Sequence, residues 1–195
     1  MVAGSRSTRR RPRTVSRSRI AFRDIARPTD TRTAIVALLP PGSAVVHNAP
    51  YLLRRSGDER DEAFLLGVMS SIPFDWYVRR VAELHITFET LAFVPVPRPP
   101  AEDPRRRRVT EIAARLGAKD ARFHAWASAV GVPVGAVEPA SAPSLVAELD
   151  AVVAHLYGLS REHVEHIFAT FHRGWSYHDR LERVLEHYDR WGAKA

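Results

Sequence analysis

Residues 23–33 carry Arg23, Asp24, Arg27, Thr29, Asp30, Thr31, Arg32 and Thr33, eight hydrogen-bonding side chains in eleven positions. Guanidinium groups donate in a planar fork that matches carboxylates and phosphates, so three of them on one stretch can do two kinds of work. They can close an Arg/Asp turn network, or they can face outward as a recognition surface. Farther along, Arg79 and Arg80 follow Trp76 and Tyr77, which can put cationic and aromatic groups on one surface, although Trp76 also suits a core. Arg105, Arg106, Arg107 and Arg108 open a segment of helical spacing. Cations at the start of a helix oppose its dipole, so intrinsic helix stability does not account for them. A phosphate-contacting patch accounts for them, and so does a solvated face paired with Glu102, Asp103 and Glu111.

Other chemistries find no support in the residues. His47-Asn48-Ala49-Pro50-Tyr51 approaches the N-P-P-Y signature of DNA amino-methyltransferases, in which Asn binds the target amino group and Tyr stacks on the flipped base. Ala49 replaces the first proline, no F-x-G-x-G loop lies upstream, and too few residues precede the motif to build a cofactor-binding sheet. A recognition loop is the better expectation. Nine histidines invite a metal, yet Glu162-His163 and Glu165-His166 do not give the H-E-x-x-H order, and His155 and His172 add no ligand spacing. G-x-S-x-G and P-loop patterns are absent. No catalytic residue and no metal ligand is assigned.

The elements that must position these residues alternate early and turn helical later. Ile20 and Phe22 alternate with Ala21 and Arg23, which predicts a strand with Arg23 on the opposite face. Residues 34–39 are apolar throughout and stop at Pro40-Pro41, as a strand buried on both faces does. Residues 43–47 predict a third short strand, and residues 85–96 return to strand-like alternation. Asp58 or Asp61 can cap a helix beginning near Glu62, which Pro73 breaks or restarts. Helical spacing then covers 104–116, 120–130, 144–157, 161–170 and 179–191. The fold class expected is mixed α/β (α+β). A short-stranded recognition domain spans residues 19–100, the proline-rich 95–100 forms the boundary, and a helical domain spans 101–195.

The formal net charge of +7 resides in the tail. Residues 1–19 hold seven arginines and no acid, and without them 22 basic residues balance 22 acidic ones. Residues 1–18 are low-complexity Arg/Ser and are expected to be disordered, a segment that binds polyanions without specificity. The body has no global field for nucleic acid, and only local clusters can supply one. No run of eighteen apolar residues predicts a membrane span, no apolar segment follows the basic amino terminus as in a secretory signal, and the absence of cysteine excludes disulfides. A cytoplasmic location is expected.

Five segments in order carry a resemblance. R-I-A-F-R-D-I-A-R-P-T-D-T-R-T-A-I-V-A-L-L-P-P (19–41) is followed by H-N-A-P-Y-L-L (47–53) and E-A-F-L-L-G-V-M-S-S-I-P-F-D-W-Y-V-R-R (62–80). V-P-V-P-R-P (94–99) and E-L-D-A-V-V-A-H-L-Y-G-L-S (148–160) complete the series. Together they resemble the carboxy-terminal target recognition region of Type IIG restriction–modification enzymes and of Eco57I-like adenine-specific DNA methyltransferases, over roughly residues 19–191. The resemblance implies a double-stranded DNA specificity module of a restriction–modification or phage-defence system, without catalysis of its own. S-adenosylmethionine is expected on a separate methyltransferase domain, and the expected partner is a methyltransferase or methyltransferase–nuclease chain. The chain is then a separate subunit or the remnant of a truncated gene. Under it, Arg23, Arg27, Arg32 and Asn48 become base-reading candidates, because Arg pairs bidentately with guanine and Asn with adenine. Arg79, Arg80 and Arg105 to Arg108 become phosphate contacts. The rival expectation is a helical protein-interaction or scaffold protein whose arginine tail binds polyanions loosely.

Overall fold

Two strands make the only sheet among the described residues of a computed structural model, which describes residues 15–27 and 29–193. Strand β1 (Arg19–Phe22) pairs antiparallel with β2 (Val36–Leu39), with Arg19 opposite Leu39 and Phe22 opposite Val36. Eight α-helices follow, giving the mixed α+β class. All of β1 is buried, because its second edge is also used: Phe22 N–H donates to Pro50 O (2.9 Å) and Leu52 N–H to Ile20 O (2.8 Å). β2 is an edge strand with only Leu38 buried, and Ile35 just before it is 44% exposed. The continuous apolar run therefore does not mark a strand covered on both faces. The third strand expected at 43–47 is not formed either. Val46 is 70% exposed, and the bridge to β1 falls at Tyr51.

Of the expected disordered tail, residues 1–14 lie outside the described residues. The amide of Gly42 donates to Val15 O (2.6 Å) and Ser18 is buried, so the folded body starts before Arg19. Helix α1 (Glu59–Ser70) is capped by Asp58, with Asp61 closing a reciprocal capping box, and it begins three residues before the expected start. Ser71 ends α1 and caps α2 (Ile72–Val81), with Pro73 in the first turn, where its missing N–H costs nothing. Residues 85–96 are not a strand. Thr87 Oγ1 accepts from Thr90 N–H (3.1 Å) and starts α3 (Phe88–Phe93), leaving one strand-like bridge between Ile25 and His85. Local capping by Thr87 decides against the alternation there.

Beyond the proline-rich segment come α4 (Pro104–Gly117), a 3-10 turn (Ala121–Phe123), α5 (His124–Val130), α6 (Ala142–Leu156), α7 (Arg161–Phe171) and α8 (His178–Gly192). Residues from both sides of that segment share one core: Ile20, Phe22, Phe64 and Val68 pack in the same cluster as Val109, Ile112, Leu149 and Val152. A second cluster joins Ile72 of α2 to Ala147 and Ala151 of α6, Phe168 and Phe171 of α7 and Val184 of α8. The α1–α4 contact depends on Gly67, where a Cβ would lie 2.6 Å from Val109 Cγ1 and 3.1 Å from Ala113 Cβ. Gly67→Ala must push the two helices apart. The expected loss is about 1–3 kcal/mol of unfolding free energy, measured by urea titration, despite alanine's better helix propensity.

Candidate nucleic-acid interface

The site is held in place by two acids with no exposed side-chain surface. Asp75, in the first turn of α2, accepts N–H donors from Ala34 (2.7 Å) and Thr33 (3.2 Å) and a hydrogen bond from Arg32 Nε. Arg32 continues to Ser70 O (2.9 Å), so its guanidinium joins the connector to the carboxyl end of α1. Asp150, on the buried face of α6, accepts Ile72 N–H (2.8 Å) and Arg180 Nε (2.7 Å). One acid thus fixes the 32–34 backbone to α2, and the other fixes the start of α2 to α6 and α8. A carboxylate buried this fully is tolerable only with its cation and its N–H donors in place.

The connector is tied down further at Asp30. Arg23 donates to its carboxylate (2.7 Å) and to Arg32 O (3.0 Å), and Arg27 N–H donates to the same carboxylate (3.0 Å). The Arg27 amide, aided by the Arg23 and Arg27 charges, holds the Asp30 carboxyl below its ordinary range. Arg79 donates to Asp30 O (2.6 Å), its guanidinium 4.7 Å above the Phe171 ring, and Tyr177 Oη donates to Thr31 O. Burial lowers the Arg79 pKa from its ordinary value, with the Asp75 charge working against that shift.

These bonds leave a cleft of about 700 Å³ between the connector, the end of α2 and the end of α7. Arg27, Arg79, Arg80, His172 and Arg173 line it, and among the described lining residues Glu83 is the one acid. Arg27, Arg80 and Arg173 are exposed and form no ion pair among the described residues. Arg80 lies 4.6 Å above the Trp76 ring and donates to Thr170 O (3.0 Å), an arrangement that points a cation without neutralising it. Trp76 does both things its sequence neighbourhood suggested: it packs beside the second core cluster and carries the arginine. In His172, Nδ1 accepts from Gly174 N–H (2.9 Å), which places the proton of the neutral ring on Nε2.

The remaining candidates divide. Arg23 and Arg32 build the connector, and their guanidinium groups face Asp30 and Asp75. Asn48 is exposed, with its backbone carbonyl accepting from Asp24 N–H (3.1 Å) and its side chain facing solvent. The run at the start of α4 is mostly occupied. Arg106 binds Asp61 and Pro99 O (2.8 Å) over the Phe64 ring, and Arg107 Nε donates to Glu102 O (3.2 Å). Arg108 forks onto Glu148 (2.9 and 2.6 Å) and reaches Glu111 (2.8 Å). Arg105 is half-buried, and its amide donates to the Asp103 cap (2.7 Å). These carboxylates answer the helix-dipole objection directly.

A second hollow, of about 530 Å³, is lined by Arg17, Arg19, Arg54, Arg55 and Glu62. Arg19 donates to Ser43 O (2.7 Å) over the Tyr51 ring, Arg54 pairs with Glu59, and burial raises the Glu62 carboxyl at its edge. Arg19 and Arg54 are thereby committed, while Arg17 and Arg55 are exposed and form no ion pair among the described residues. Among the described residues no group of three or more His, Asp or Glu is placed to hold a metal, and no helix is long and apolar enough to cross a membrane. Two of the histidines have structural duties: His163 closes the Ser160 cap and His155 stacks on Tyr188 at 3.9 Å.

Sequence reasoning missed the loop after α7, which supplies His172 and Arg173, and it missed Asp75 and Asp150. Asp150 left a signal, an acid among Leu149, Val152 and Val153 on an apolar helix face; the loop left none beyond an arginine beside a glycine. Comparison with known proteins found no match to a family model, a curated protein or a solved structure.

Removing Arg32 strands Asp75 as a buried charge. Arg32→Ala is expected to lower unfolding free energy by about 3–5 kcal/mol, read by denaturant titration, where a purely base-reading arginine loses none. Glu148 gives a pH test. Burial, the largest single influence, acts to raise its carboxyl, but the Arg108 hydrogen bonds and charge, with the Trp191 hydrogen bond and the His187 charge, together hold it below the ordinary range. Its stabilising contribution is therefore present above the unfolded carboxylate pKa and lost as pH falls through the lowered folded value. Glu148→Gln, which cannot ionise, is expected to flatten the acid limb of a plot of stability against pH below about 4.5.

Proposed function

We propose that the chain is a double-stranded DNA-binding specificity module, holding the phosphate backbone in the cleft lined by Arg27, Arg79, Arg80 and Arg173. The observation that supports this reading is that arginines from three separated stretches converge on one cleft beside a single acid among its described lining residues. The body has balanced charge, so such a cluster is a local departure from the average. Exposed arginines held by ring stacking and carbonyl contacts, as Arg80 is, suit a ligand with oxygen acceptors. Arg27 and Asn48 are the base-reading candidates whose side chains face solvent, and Arg79 and Arg80 are the phosphate candidates in the cleft.

The resemblance to Type IIG target recognition regions supports the same reading and supplies its context. Within it, a methyltransferase or methyltransferase–nuclease chain binds S-adenosylmethionine and performs the chemistry, and this chain selects the site. The exposed Leu84, Phe88 and Phe93 favour a second reading, a protein-interaction scaffold, because they leave apolar surface for another protein to cover. DNA binding separates the two readings.

Arg80→Ala and Arg173→Ala are each expected to weaken binding to a random-sequence duplex several-fold. Each is also expected to reduce the slope of log K against log salt by about 1, measured by fluorescence anisotropy. Affinity and slope unchanged in both variants contradict a backbone-holding cleft and leave the scaffold reading.

A further inference from the structure

The loop between α7 and α8 presents the indole of Trp175, 56% exposed, one residue beyond Gly174 of the arginine cleft. An exposed tryptophan is an expensive side chain to leave in water, and this one is held out by the structure around it. On its amino-terminal side, His172 accepts the Gly174 N–H and fixes a tight turn. On its carboxy-terminal side, Tyr177 donates to Thr31 O and packs edge-on against Phe171, with ring centroids 5.2 Å apart. Phe171 in turn lies under Arg79. The loop is thereby tied to the connector and to the cleft wall, with Trp175 between its two attachments.

The charges on the two sides of the indole differ. Toward the cleft stand Arg173, Arg80 and Arg27. Toward α8 a hollow of about 300 Å³ is lined by Trp175, His178, Arg180 and Arg183 but also by Asp179; Arg180 is committed to Asp150 (2.7 Å), and His178 pairs with Glu182 (3.3 Å). The polyanion therefore belongs on the cleft side, and the tryptophan follows directly on Arg173 and Gly174, which line that cleft. An indole face beside a guanidinium is a platform for any nucleobase, since every base offers a π-face.

We propose that Trp175 stacks on a nucleobase that has left the helical stack, while the neighbouring phosphates occupy the arginine cleft. This rests on the nucleic-acid reading above and adds a requirement that simple phosphate binding does not have: the preferred ligand contains an unstacked base. Trp175 acts as a sequence-tolerant sensor of local distortion, and direct base reading is left to other side chains.

The test uses the full chain and three probes of one sequence: a perfect duplex, the same duplex with one unpaired 2-aminopurine, and the single strand. Trp175→Ala is expected to weaken binding to the unpaired-base duplex about tenfold, with a much smaller effect on the perfect duplex. Trp175→Phe is expected to restore most of the loss. The parent protein is expected to quench the 2-aminopurine fluorescence, and Trp175→Ala is not. Arg80→Ala is expected to weaken all three probes alike. Trp175→Ala binding every probe as the parent does, or losing equally on all three, overturns the stacking role while leaving the DNA-binding reading in place. No binding of any probe by the parent overturns both.

Discussion

Asp75 has no exposed side-chain surface, and donors from residues 32, 33 and 34 converge on it. Backbone N–H groups at the end of an irregular connector have no ladder to join, and a carboxylate inside a protein needs donors; each solves the other's problem. Arg32 supplies the charge and carries the contact on to Ser70 O. Asp150 repeats the solution one turn away, taking Ile72 N–H and Arg180. Between them the two acids fix where the connector leaves α2 and where α2 meets α6 and α8. The cleft lies between the connector, the end of α2 and the end of α7, and the Asp75 bonds set the first two of these against one another.

The arginines of this chain sort by what accepts their protons. Arg23, Arg32, Arg106 and Arg108 face carboxylates and set the positions of chain segments. Arg80 faces a ring and a carbonyl, and Arg27 and Arg173 have no ion pair among the described residues. The distinction matters because a neutralised, doubly bound guanidinium gains little from a phosphate, whereas an oriented and uncompensated one gains a charge-assisted hydrogen bond. Local pairing therefore leaves a cationic cleft on a body whose formal charges balance.

Much of the scaffold could be read from residue order. The helices of the second half follow their apolar spacing to within a few residues, and Ser160 caps α7 as its type suggests. Strand propensity was the weaker guide. Residues 34–39 look doubly buried because nothing in the sequence shows that only one strand will pair with them, and Thr87 turned an alternating stretch into a helix. The site was half legible. Arg27, Arg79 and Arg80 stand out by type and spacing, but Arg23 and Arg32 look the same and are set apart only by Asp30 and Asp75. Arg173 reaches the cleft through the packing of α7 on α2, a contact between residues about ninety positions apart, such as Trp76 Nε1 with Thr170 Oγ1. Single-sequence periodicity carries no information at that range.

Under the proposed function the folded body, and not the basic tail, holds duplex DNA. Five arginines lie within residues 1–14, outside the described body, and they bind polyanions whatever the cleft does. The most direct measurement is the affinity of a chain beginning at Val15 for a 30-base-pair duplex, compared with the full chain over a salt series. The shortened chain is expected to keep saturable binding, with a shallower salt slope than the full chain. Loss of all binding on removal of residues 1–14 contradicts it and assigns the interaction to the tail.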